Sequence, residues 1–116
     1  MKRGELYRVF SGSKTDTKKQ RVYIIVSRQE LIDSAYSTLI CAPVYTNYEG
    51  LSTQVQVGVE EGLKHSSAIR CDELISILKS HLTDYVGTIS KKKIPLLEQA
   101  LSIALGIDDL MMSVTP

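Results

Sequence analysis

Glu5-Leu6-Tyr7-Arg8-Val9-Phe10 alternates polar and apolar residues, the period of a half-buried strand. Arg21-Val22-Tyr23-Ile24-Ile25-Val26-Ser27 is β-branched and nearly continuous in hydrophobicity, which predicts a strand buried on both faces. Between them, Ser11 to Gln20 offers no apolar side chain. It reads as a solvated loop, longer than a hairpin needs. Gln29 to Tyr36 suits a short helix or a loop. Ser37 to Val44 predicts a third strand, with Pro43 at an edge or a termination point because proline gives no N–H to a ladder. Thr46 to Gly50 is turn chemistry. Thr53 to Val59 alternates again, its valines on one face.

Two stretches need more care. In Ser67 to Ile77, Leu74 and Ile77 with the following Leu78 fit a helical period, whereas Ile69, Cys71, Ile75 and Ile77 fit a strand; periodicity alone does not decide. Further on, Ile94, Leu97, Leu101 and Ala104/Leu105 recur at three- and four-residue steps and predict a helix. Ser90 is its expected N-cap and Gly106 its expected C′ residue. No repeat or domain boundary interrupts the pattern. The expectation is one barrel-like β domain with packed helices over residues 1–106, followed by a frayed tail at 107–116.

Composition narrows this picture without changing it. At 116 residues, with 43% hydrophobic and 23% charged side chains, the chain is one domain's worth of ordinary globular sequence. A chain of this length buries roughly 60–70% of its unfolded surface, enough for a core without staples. No apolar run approaches the ~18 residues of a membrane helix. Cys41 and Cys71 show no metal-ligand spacing and read as buried hydrophobes in a reducing compartment. Met1-Lys2-Arg3-Gly4-Glu5 has no hydrophobic signal core, so a cytoplasmic location is expected; the motifs call for no metal and no cofactor.

The net charge of +1 hides an asymmetry. Residues 1–28 carry eight basic side chains against two acidic ones; the rest of the chain carries six against eleven. A basic first quarter is a place for phosphates, or else a solvated lysine-rich loop. Other candidate chemistry is thin. His65 and His81 stand 16 residues apart in unrelated contexts. Lys91-Lys92-Lys93 is more simply a solvated run, and phosphate-loop, dinucleotide and nucleophile-elbow motifs are missing.

The local words, taken in order, resemble the MazF/PemK (Kid-like) toxin endoribonucleases. Lys2-Arg3-Gly4-Glu5-Leu6-Tyr7 is similar to that family's opening, and Arg21 to Ser27 to its central strand. Ile40-Cys41-Ala42-Pro43-Val44-Tyr45-Thr46-Asn47, Leu51 to Val57 and Ser67 to Ile75 follow in the family's order. The resemblance spans residues 2–106. It implies a mainly β (α+β) fold, an SH3-like barrel with a long C-terminal helix of the MazF/CcdB type, and it makes 67–77 extended. It also implies metal-independent, sequence-selective cleavage of single-stranded RNA through the 2′-hydroxyl, a homodimer, and a cognate antitoxin with an acidic disordered tail.

By this resemblance Arg21 is the catalytic arginine, since a planar guanidinium meets two phosphate oxygens at once. Thr46 matches the catalytic threonine. Lys14, Lys18 and Lys19 would hold RNA phosphates, and Tyr45, Asn47, Leu51, Ser52 and Glu73 would contact the RNA. Three departures stand out. Val22 replaces the proline after the arginine. Thr46 lies one step late, which lets Tyr45 take the threonine's place. Glu73 replaces a glutamine, and a carboxylate only accepts hydrogen bonds, which would shift the base preferred. Two alternatives follow. One is a non-catalytic CcdB-like toxin that binds DNA gyrase, disfavoured by the lack of Trp and the ending Ser-Val-Thr-Pro. The other is a degenerate family member that binds RNA without cutting it.

Overall fold

The computed structural model describes residues 1–10 and 20–107. The polar loop with Lys14, Lys18 and Lys19, and the tail beyond Ile107, lie outside the described residues. The element order is β1 Glu5–Phe10, β2 Gln20–Ile25, α1 Gln29–Ile32, β3 Thr38–Tyr45, β4 Gln54–Val57, β5 Ser67–Arg70, β6 Ile75–Leu78, β7 Asp84–Thr88 and α2 Ile94–Ala104. Single 3₁₀ turns at Val59–Glu61, Cys71–Glu73, Lys79–His81 and Lys91–Lys93 link them.

The strands form one antiparallel sheet in the order β4-β5-β3-β2-β1-β7, with β6 also paired to β3. β3 is the hinge of this arrangement. Its first half pairs with β6, Thr38 opposite Leu78, and its end pairs with β5, Val44 opposite Ile69. Pro43 sits buried where one neighbour gives way to the other, rather than at an outer edge. A residue without an N–H costs little in that gap. The ambiguous stretch is therefore two short strands split by the turn at Cys71–Glu73. Neither strand is long enough to show a period of its own.

The sheet curls into a half-barrel, and two clusters fill its faces. Leu6, Ile24, Ala42, Val55, Ile69 and Cys71 pack with Leu97 and Ala100 of α2. Tyr7, Ile25, Leu39, Cys41 and Ile77 pack with Ile32 of α1. Adjacent residues of β2, Ile24 and Ile25, thus serve opposite clusters, which explains its unbroken hydrophobicity. Each cluster holds one of the two cysteines. Burial pushes the Cys41 thiol up to about 12 and, aided by Asp72, the Cys71 thiol up to about 11.

A buried carboxylate fixes α2. Glu61 is 1% exposed. Its Oε1 accepts from the Gly58 N–H at 2.8 Å and from Lys93 Nζ at 3.2 Å; its Oε2 accepts from the Ser90 hydroxyl and backbone N–H. Burial alone would raise the Glu61 pKa, but the bonds from Ser90, Gly58 and Lys93 outweigh it and hold the carboxyl below its ordinary 4.5. Ser90 is thus engaged with Glu61 and makes no side-chain cap; a 3₁₀ turn follows it and α2 starts at Ile94. The other end behaves as the sequence suggests. Gly106 has φ 72°, its N–H donates to Ile103 O and that of Ile107 to Ser102 O, a Schellman closure. Where the turn at Val59–Glu61 meets β7, Gly87 has no room for a Cβ, because the Glu61 carbonyl occupies the place. Among the described residues no helix is long and apolar enough to cross a membrane.

Candidate nucleic-acid interface

Register brings the site together. Val22 pairs with Val44 and Tyr23 with Pro43, so Arg21 stands across from Tyr45 on the face away from α2. Val44 pairs with Ile69, which sets Arg70 beside Pro43 on that same face. The Arg21 guanidinium carbon lies 4.0 Å from the Tyr45 ring centroid, and that of Arg70 also lies 4.0 Å from it. β2 and β5 flank β3 on opposite sides, so the two guanidiniums approach the ring from opposite directions. Each contact draws on the negative ring face.

Carboxylates complete the cluster. The Tyr45 hydroxyl donates to Glu73 Oε1 at 2.8 Å. Glu73 Oε2 lies 3.3 Å from Arg70 Nη1, and Glu49 Oε1 lies 3.7 Å from Arg70 Nη2. Gln54 holds Glu49 in turn, accepting from its N–H at 2.9 Å and donating to its Oε1 at 3.2 Å. Arg70 Nε is buried with no partner. The hydrogen bond to Glu73, with some burial and the Glu73 charge, raises the Tyr45 pKa against the pull of Arg21 and Arg70. The phenol is therefore a neutral donor at physiological pH. Arg21 Nη1 reaches the Val44 carbonyl at 3.5 Å, a long and weak bond.

The expected site residues fall into three groups. Arg21, Tyr45 and Glu73 meet in this cluster. Thr46 and Asn47 follow in the exposed bend past the end of β3. Leu51 and Ser52 line a separate cleft of about 710 Å³ between β4 and α2, with Leu96, Gln99 and Ile103. His65 lies before β5 and His81 in the turn before β7. Among the described residues no group of three or more His, Cys, Asp or Glu side chains is placed to hold a metal.

Arg70 and Glu49 carry no signal in the linear motifs. The hint for Arg70 is its alternation with Ala68 against Ser67 and Ile69 in β5, which turns it away from the helix-side core. Even so, its place against Tyr45 comes from the β3–β5 register, which no local spacing encodes.

The fold is a curled antiparallel half-barrel that gathers guanidiniums, a phenol and carboxylates on one open face. Comparison with known proteins gives that class a family. Residues 2–105 match the family described as the PemK-like, MazF-like toxin of type II toxin-antitoxin systems, and the chain belongs to it. The protein named endoribonuclease MazF3 of Mycobacterium tuberculosis is 29% identical over 90 residues, covering 78% of this chain and 86% of that protein. Among solved structures, the M. tuberculosis toxin MazF-mt6 superposes with a TM-score of 0.77 at 24% identity, over 90% of this chain and 98% of that one. A mycobacterial endoribonuclease in complex with its cognate antitoxin gives 0.79 at 22% identity, over 92% and 96% of the two chains. The MazE–MazF structure from Deinococcus radiodurans gives 0.72 at 16%, over 93% and 97%.

Proposed function

We propose that this MazF-family toxin is a sequence-selective endoribonuclease that cleaves single-stranded RNA, mRNA included, without a metal ion. The observation that carries the reading is the Arg21–Tyr45–Arg70 cluster on the open face of the fold. In the reaction, the ribose 2′-oxygen bonds to the adjacent phosphorus and the bond from phosphorus to the 5′-oxygen breaks. The 2′-OH proton leaves to a base and the 5′-oxygen gains one. The products are a 2′,3′-cyclic phosphate and a 5′-OH.

Charge builds on the non-bridging oxygens as phosphorus becomes five-coordinate. A guanidinium aimed at them lowers that barrier, and one such donor is worth on the order of 10²–10³ in rate. Arg21 takes this role, since it stands at the strand end beside the polar loop. Thr46, one residue past β3, donates to the phosphate or orients the 2′-OH. Lys14, Lys18 and Lys19 add non-selective phosphate affinity. The partners are RNA, a second copy of the chain in a homodimer, and an antitoxin whose acidic tail competes for the basic face.

The test is incubation of the purified protein, in EDTA, with a long single-stranded RNA and its deoxy counterpart, beside Arg21→Ala. Discrete RNA fragments ending in cyclic phosphate, intact DNA and an inert variant are expected. Intact RNA from a varied substrate would sink the proposal and redirect attention to gyrase binding.

A further inference from the structure

The geometry points to Tyr45 as a positioning residue whose ring spaces Arg21 and Arg70 so that they hold two neighbouring phosphates of one RNA strand. This deepens the reading above and rests on it for the identity of the ligand. Two guanidiniums gathered on one face repel each other until the anionic strand arrives. Here a π face draws each of them to 4.0 Å from the same centroid, and each face orients one planar fork. The ring in turn is fixed. Glu73 accepts from its hydroxyl with one oxygen and contacts Arg70 with the other, while the two cation–π contacts hold the ring itself between the forks. The threonine expected at this point of the family pattern has no face to offer. Arg70 also keeps a buried Nε–H without an acceptor. The 3.7 Å contact of Arg70 Nη2 to Glu49 is loose, and an incoming phosphate oxygen displaces it.

A side chain that merely fills space would be replaceable by any apolar residue of similar bulk. One that acts through its hydroxyl would fail as phenylalanine. The three possibilities separate in Tyr45→Phe, Tyr45→Leu and Tyr45→Ala. Two readouts are taken: kcat/KM on RNA, and the Kd of a fluorescein-labelled 2′-O-methyl oligonucleotide, which lacks the nucleophile. The expected result is that phenylalanine holds both within about threefold. Leucine and alanine lower kcat/KM at least ~100-fold and raise Kd about tenfold, with melting temperatures near wild type. Leucine equal to phenylalanine would overturn the proposal, and so would phenylalanine as poor as alanine.

If wild type leaves RNA intact, the ribonuclease reading fails on its own, and the Kd series still decides the role of Tyr45. If leucine or alanine does not fold, Tyr45→Phe is compared in a cycle with Arg70→Ala. The spacer predicts that Arg70→Ala raises Kd about tenfold whether the ring beside it is tyrosine or the phenylalanine of Tyr45→Phe. A phenylalanine background insensitive to Arg70→Ala would refute it.

Discussion

Arg21 and Arg70 differ in what surrounds their charge. Arg70 is shared between Glu49 and Glu73, while no described carboxylate pairs with Arg21. Arg21→Ala should therefore lower kcat/KM by on the order of 10²-fold or more without unfolding the chain. Lysine should rescue it poorly, because a point charge lacks the planar fork; steady-state cleavage of a short RNA measures both. Glu73→Gln should tighten RNA binding a few-fold, since it removes a negative charge from the phosphate face while keeping an acceptor for Tyr45. Fluorescence anisotropy at fixed salt checks the direction, and weaker binding would mean that the carboxylate itself reads a base. At this scale the resemblance to family positions pointed to Arg21, Tyr45 and Glu73, whose side chains meet in the fold. It was silent on Arg70 and Glu49, whose roles exist only once β5 and the 46–50 segment fold against β3.

Elements with an unambiguous pattern were legible: β1 and β4 follow their alternation, β2 its unbroken apolar run, and α2 its three- and four-residue steps. Legibility failed where an element is short or a polar residue has a distant partner. β5 and β6 have four residues each, and the apolar positions of the stretch that holds them fit a helical and an extended period alike. Ser90 looks like an N-cap by local rules, yet its hydroxyl serves a carboxylate 29 residues away. That carboxylate sets a testable acid limit. The Glu61 pKa is held below 4.5, so its stabilisation is complete above that value and is lost as pH falls through the lower folded value. Glu61→Gln should cost about 3 kcal/mol at pH 7, lower the melting temperature by on the order of 10 °C, and flatten the acid limb of stability. Thermal unfolding between about pH 3 and 7 tests each part. Gly87→Ala, which drives a methyl into the Glu61 carbonyl, should destabilise the same junction by at least ~2 kcal/mol.

Over the whole molecule, the first 28 residues are net basic and the rest of the sequence net acidic. RNA affinity should then fall steeply with salt, by roughly 0.7 in the logarithmic slope for each phosphate engaged on a single strand. Neutralising Lys14, Lys18 and Lys19 together should flatten that slope while leaving the choice of cleavage site unchanged. Sedimentation should give twice the 12.9 kDa chain mass if the homodimer forms. The two cysteines offer a different kind of access to the intact molecule. One sits in each core cluster, both are sealed from solvent, and both have thiols too weakly acidic to react while buried. Alkylation must wait for the surrounding cluster to open. Cys41 and Cys71 are therefore two built-in clocks, and their separate labelling rates, read by peptide mass, report whether the α1 side and the α2 side of the protein breathe together or one at a time.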